Sequence, residues 1–112
     1  DLALVRIECG FRGEPIPEDY RFPWVPLREG GPPDFGEELW LVGYPGGGGQ
    51  RTRVTLSVSR GIVSGFERGD FGLVVKTDAE LQVGSSGGAA LDAAGRLFGV
   101  PSTLVELGAG QF

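Results

Sequence analysis

Two adjacent serines flanked by glycines, Gly84-Ser85-Ser86-Gly87-Gly88, are the residues whose types and spacing could do chemistry. A serine hydroxyl becomes a competent nucleophile when it sits on a tight turn beside a base. On such a turn its own N–H and that of the residue two positions earlier converge on one point, where the oxyanion of a tetrahedral intermediate would lie. Gly84 has no Cβ to block an approaching carbonyl, and Gly87 and Gly88 let the chain leave the turn uncrowded. The chemistry implied is acyl transfer, with Ser86 attacking and the N–H groups of Gly84 and Ser86 forming the oxyanion hole. The same five residues also suit a Gly/Ser-rich surface loop with no chemistry, and by themselves they do not choose.

The elements that must hold this turn are short strands. The 21 glycines and 8 prolines fall between runs rich in Val, Leu, Ile and Phe, the pattern of many strands separated by turns. Strands are expected at 2–8, 38–44, 51–66, 72–77, 88–92, 96–101 and 103–107. Within 51–66, Val54, Leu56 and Val58 alternate with Thr55, Ser57 and Ser59, and Gly61 reads as a bulge or bend. Between Pro15 and Pro33 the prolines exclude helix and central strand; Tyr20, Phe22 and Trp24 mark this stretch as an ordered linker. The run Gly46 to Gly49 lacks a following Gly-Lys-Ser/Thr and opens no helix, so it reads as a hairpin loop and not a phosphate cradle. No apolar period of 3.6 persists for three turns. The fold class is all-β, a sandwich or a barrel.

Composition bounds the partners. A chain of 112 residues supports one small domain or half of a larger one. The net charge is −5 and the basic residues do not cluster, which argues against nucleic acid as a partner. No apolar run approaches the roughly 20 residues that cross a bilayer, so no membrane span is expected in this chain. The sequence begins at Asp1 without methionine, and any targeting segment is expected to lie outside it. Cys9 is the only cysteine; it permits no internal disulfide and no cysteine zinc cage, and reads as a small buried hydrophobe at a strand end.

Four motifs in order give the sequence a wider resemblance. Thr77-Asp78-Ala79 precedes Gly84-Ser85-Ser86-Gly87-Gly88, which is followed by Ala89-Ala90-Leu91-Asp92 and then Gly95-Arg96-Leu97-Phe98-Gly99-Val100. Upstream stand Gly43-Tyr44-Pro45-Gly46, Val58-Ser59-Arg60-Gly61-Ile62-Val63-Ser64 and Asp1-Leu2-Ala3-Leu4-Val5-Arg6-Ile7. In this order and spacing the sequence resembles the trypsin-like serine peptidases, and especially their HtrA/Do-like branch. The resemblance implies an antiparallel Greek-key β-barrel, the C-terminal half of a double-barrel fold. Its parts would be a strand at 1–9 carrying the triad aspartate, a linker at 10–36 and the barrel with its nucleophile loop at 37–112.

The resemblance also assigns roles. Ser86 would be the nucleophile and Asp1 the carboxylate that orients the histidine and stabilises its imidazolium. Ser102 and Thr103 would bind substrate where the family pairs backbone with the peptide main chain, with the missing donor of Pro101 facing away. Glu80, six residues before Ser86, would lie near the floor of the primary specificity pocket and could pair with a basic side chain; a solvated loop carboxylate is the plainer alternative. Ser85 departs from the branch, which has Asn there, and Ala89-Ala90 replaces Pro-Leu. No metal or cofactor is implied. The expected partners are a protein or peptide substrate and the N-terminal barrel of the same protein, with homo-oligomers and a periplasmic or extracellular site as further family expectations.

The sequence contains no histidine. In the family the base comes from the preceding barrel, so two explanations compete: a slice of a longer peptidase, which the start at Asp1 favours, or a pseudo-peptidase that keeps a peptide-binding groove. In either case the 112 residues alone are expected to be inactive, because a triad without its base retains only the oxyanion hole and substrate binding. A third reading, an unrelated β-barrel with a coincidental Gly-Ser motif, requires that the Gly84 and Ser86 N–H groups do not converge.

Overall fold

The computed structural model describes residues 3–45, 55–70, 72–81 and 84–102. Five strands form one antiparallel sheet: β1 (Glu38–Gly43), β2 (Ser57–Gly69), β3 (Gly72–Thr77), β4 (Ala89–Asp92) and β5 (Leu97–Gly99), in the order β3-β2-β1-β4-β5. The protein is all-β and makes a half-barrel. Sequence neighbours β2 and β3 form a hairpin, as do β4 and β5. By contrast β1 lies between β2 and β4, pairing Glu38 to Ile62 and Gly43 to Ser57 on one side and Leu39 to Asp92 and Val42 to Ala89 on the other.

Alternation along the strands builds the core. Successive side chains of a strand point to opposite faces, and in β1 Leu39 and Leu41 turn inward while Glu38, Trp40 and Val42 stay part-exposed. Leu39 and Leu41 meet Val63, Val75, Ala79 and Ala90, with Phe66, Leu81 and Phe98 packed around them. Phe35 covers the rim, its ring edge-on to Phe66 at 4.8 Å. On the outer face the Arg60 guanidinium lies 5.3 Å from the Trp40 ring centre and pairs with Glu38 at 3.0 Å.

The linker is fastened to the sheet by backbone and charge. Leu27 makes a parallel bridge with Leu97, since Arg28 N–H donates to the Leu97 carbonyl and Leu97 N–H to that of Pro26, both at 2.8 Å. Arg28 grips the Glu37 carboxylate with both terminal nitrogens and stands 3.5 Å from Asp92. Asp92, 2% exposed, closes the β4–β5 turn: Oδ1 accepts the N–H groups of Ala94 at 3.0 Å and Arg96 at 2.9 Å, and Oδ2 accepts Arg96 Nε at 3.0 Å. Burial alone would push this carboxyl up; the Arg96 N–H and guanidinium charge together with the Ala94 N–H outweigh it, so it ionises below its ordinary value. Glu37 is also held low, first by its hydrogen bond to Arg28, against the opposing effect of burial.

The strand pattern is close to the expected one and differs where partners decide. Residues 3–8, read as strand, carry no ladder; Leu4, Val5 and Ile7 are largely exposed, and a strand exists only where another strand pairs with it. Cys9 is accordingly exposed and not buried. The long strand begins at Ser57 and runs on to Gly69. Its register shift falls in the pairing with β3, between Val63 and Gly65, not at Gly61, which pairs with Leu39 of β1. The expected strand at 103–107, Val54 and the glycine run 46–49 lie outside the described residues.

Candidate active site

The Gly84–Gly88 segment forms a turn held by its own backbone. Gly88 N–H donates to the Ser85 carbonyl at 3.1 Å, and Gly87 stands third in that turn at φ +86°, a left-handed value that glycine adopts without strain. Gly84 enters the turn at φ +93°. Ser86 occupies the second position and is exposed. The tight turn expected from the glycine spacing is present.

The exit of the turn is anchored twice. Gly87 N–H donates to the Pro101 carbonyl at 2.9 Å, and Pro101 is fully buried. Pro101 thus acts through its acceptor, a role that reasoning from its missing donor did not supply. Gly88 passes so close to β1 that a Cβ would overlap the Val42 carbonyl and come within 3.1 Å of the Ser85 carbonyl. Glycine is required there by space and not by φ.

The entrance is held by side chains that complete a strand ladder. β3 ends at Thr77, opposite Val63, which leaves the next backbone groups of β2 without a strand partner on that edge. Thr77 Oγ1 donates to the Ile62 carbonyl at 2.8 Å, and Asp78 Oδ1 accepts the Ile62 N–H at 2.8 Å. The Thr77 hydroxyl also accepts the Ala79 N–H at 3.0 Å. This seats Ala79 in the core at 5% exposure. One residue on, Ser59 Oγ donates to the Glu80 carbonyl at 2.8 Å. Gly61 makes the approach possible, since a Cβ there would stand 2.6 Å from Ala79 N and 2.8 Å from its Cα, and closer still to Asp78 Oδ1.

Beneath the turn lies a small cavity of about 60 Å³, lined among others by Gly43, Ser57, Ser59, Glu80, Ser85 and Pro101. Glu80 and Ser85 therefore share one cavity wall, with the Glu80 backbone fixed by Ser59. Ser102 is exposed directly after Pro101, so the structure brings Ser86, Gly84, Glu80 and Ser102 to one end of the sheet through the Pro101 link and the cavity. Asp1 and Thr103 lie outside the described residues. The contributions of Ser59, Gly61 and the Pro101 carbonyl were not anticipated from sequence. Thr77-Asp78 did stand out there as a motif, but without a structural role.

Comparison with known proteins agrees with this geometry. The family model for the trypsin-like peptidase domain matches residues 1–100. The chain is 33% identical over 106 residues to Protease Do-like 2, chloroplastic, of Arabidopsis thaliana, an alignment covering 89% of this chain and 15% of that protein. Among solved structures, the crystal structure of Deg5 is similar with a TM-score of 0.57 and 26% identity, over 70% of this chain and 38% of that one. The chain thus spans well under half the length of these relatives. It belongs to the trypsin-like peptidase domain family, in the Do-like branch, and forms a half-barrel of that fold.

Proposed function

We propose that this chain is the nucleophile-bearing part of a serine endopeptidase, hydrolysing peptide bonds through an acyl-enzyme at Ser86. The observation that carries the reading is the exposed Ser86 at the corner of a turn that has Gly84 and Gly87 both at positive φ, within a domain of a peptidase family. Ser86 Oγ attacks the scissile carbonyl, and a base supplied from the N-terminal barrel of the same protein takes its proton. The Gly84 and Ser86 N–H groups receive the oxyanion. Asp1 orients that base, while Glu80, Ser102 and Thr103 contact the substrate, a protein or peptide. The part at 1–9 carries Asp1, while 10–36 and 37–112 act as linker and barrel.

Exposed apolar side chains ahead of β1 support a partner domain. Leu4, Phe11 and Trp24 are largely exposed, at 102%, 105% and 79%. The N-terminal barrel of the same protein is its natural cover.

A second reading rests on one observation, the lack of any histidine in these 112 residues: a pseudo-peptidase that binds peptides without cutting them. A fluorophosphonate probe on the full-length protein separates the two. Stoichiometric labelling that disappears in Ser86→Ala establishes the peptidase; a folded protein that stays unlabelled yet binds peptide establishes the pseudo-peptidase. The isolated 112-residue chain is expected to remain unlabelled in both cases.

A further inference from the structure

We infer that Asp78 is a positioning residue for the Ser86 turn, acting as a side-chain extension of the β2–β3 ladder. The inference rests on the peptidase reading above and goes beyond it, since that reading gives Asp78 no part. Its evident partner is a backbone group: Oδ1 accepts the Ile62 N–H at 2.8 Å.

The physical case begins with the end of β3. A strand edge has an obligatory donor and acceptor at each paired residue, and leaving them unmade is costly. Where β3 stops at Thr77, the hydroxyl of Thr77 satisfies the Ile62 carbonyl and the carboxylate of Asp78 satisfies the Ile62 N–H. Two side chains thus do what the backbone of one further strand residue would have done. The chain is released from the ladder but stays bonded to β2, and turns toward the nucleophile. A hydrogen bond from N–H to an ionised carboxylate is stronger than a neutral one, which suits a single bond asked to fix a departing segment.

Downstream, the segment is held again at Glu80 by Ser59, and beyond the turn at Gly87 by Pro101. Ser86 therefore lies between an entrance clamped to β2 and an exit clamped to the chain leaving β5. Catalytic groups must be held to within a fraction of an ångström, and supporting residues set that tolerance. Freeing the entrance lets the turn sample positions in which the hydroxyl and the oxyanion donors no longer coincide. Gly61 is the second half of the device: it admits Asp78 and Ala79 to a distance that any side chain forbids.

The test uses the full-length protein and fluorophosphonate labelling of Ser86, with Ser86→Ala as blank and temperatures set below each variant's unfolding transition. Asp78→Ala and Gly61→Ala should be labelled to full amplitude but 10- to 100-fold more slowly, whereas Asp78→Asn, whose amide oxygen can still accept the Ile62 N–H, should recover most of the rate. A merely structural role would instead lower the labelled fraction and leave the rate of that fraction unchanged; this result overturns the inference. So does an Asp78→Asn as slow as Asp78→Ala. If the wild type itself is not labelled, the peptidase reading fails, and amide exchange of the same proteins decides the positioning claim independently. Faster exchange at 84–88 in Asp78→Ala, with Leu39 and Leu41 unchanged, sustains it; unchanged exchange at 84–88 refutes it.

Discussion

The Asp92 carboxylate and the Arg28 guanidinium meet at 3.5 Å across the join between barrel and linker, with Asp92 almost wholly buried. Arg28 carries Glu37 on its other side, so a single cation links the β4–β5 turn to the residues leading into β1. This cluster gives the molecule a defined response to acid.

Asp92 and Glu37 both ionise below their ordinary values in the folded state. A carboxyl with a depressed folded pKa binds fewer protons folded than unfolded as pH falls, so its stabilisation is complete above the unfolded value and lost below it. The unfolded values are about 4. Stability is therefore expected to be level above about pH 5 and to drop as the pH falls through 4 and lower. Asp92→Asn should flatten that drop and cost roughly 1–3 kcal/mol near neutrality, because the amide nitrogen then faces Arg96 and Arg28. Urea unfolding at a series of pH values measures both.

Neighbouring glycines in the Ser86 turn should respond differently to alanine. Gly87 has open space around a Cβ but φ +86°, so Gly87→Ala costs only the left-handed strain, roughly 1–2 kcal/mol. Gly88→Ala drives a methyl into the Val42 carbonyl and must move backbone, costing about 2 kcal/mol or more. Thermal unfolding of the two variants side by side gives the order; equal losses would contradict the geometry.

Leu39 is fully buried at the centre of the core. Leu39→Ala should cost about 2–5 kcal/mol, a large part of the stability of a domain this size, while Leu73→Ala, half exposed on β3, should cost well under about 1 kcal/mol. Chemical denaturation measured on both variants tests the contrast.

Association of the isolated chain should follow the exposed apolar side chains ahead of β1. Replacing the exposed Leu4 and Phe11 by serine is expected to lower self-association in analytical ultracentrifugation with little change in thermal midpoint. A midpoint that falls by many degrees would show that these residues serve the fold of this half itself.

Much of the fold was legible because it is written in local alternation. Leu39 and Leu41 against Trp40 and Val42 set the face of β1, and the Gly84–Gly88 spacing set the turn, since both depend on residues close in sequence. What stayed hidden depends on partners far along the chain. The segment 2–8 has the composition of a strand, yet residues 3–8 find no edge to pair with among the described residues. Gly61 reads as a bulge because a glycine in a strand has two explanations, and only the arrival of Asp78 and Ala79, far along the chain, selects the second. Pro101 was judged by the donor it lacks, whereas its buried carbonyl is what the turn uses.

The parallel bridge between Leu27 and Leu97 has a consequence in time. Its two residues are widely separated in the sequence, and contacts of such separation form slowly because a long loop must close first. The stretch from Pro26 to Arg28 has no edge to join until the β4–β5 hairpin exists, so this strap docks late and, being held by two backbone bonds and one cation, detaches first. A protease acting on native chain would accordingly cut before residue 36 long before it reached β1, leaving the sheet behind as the resistant remnant.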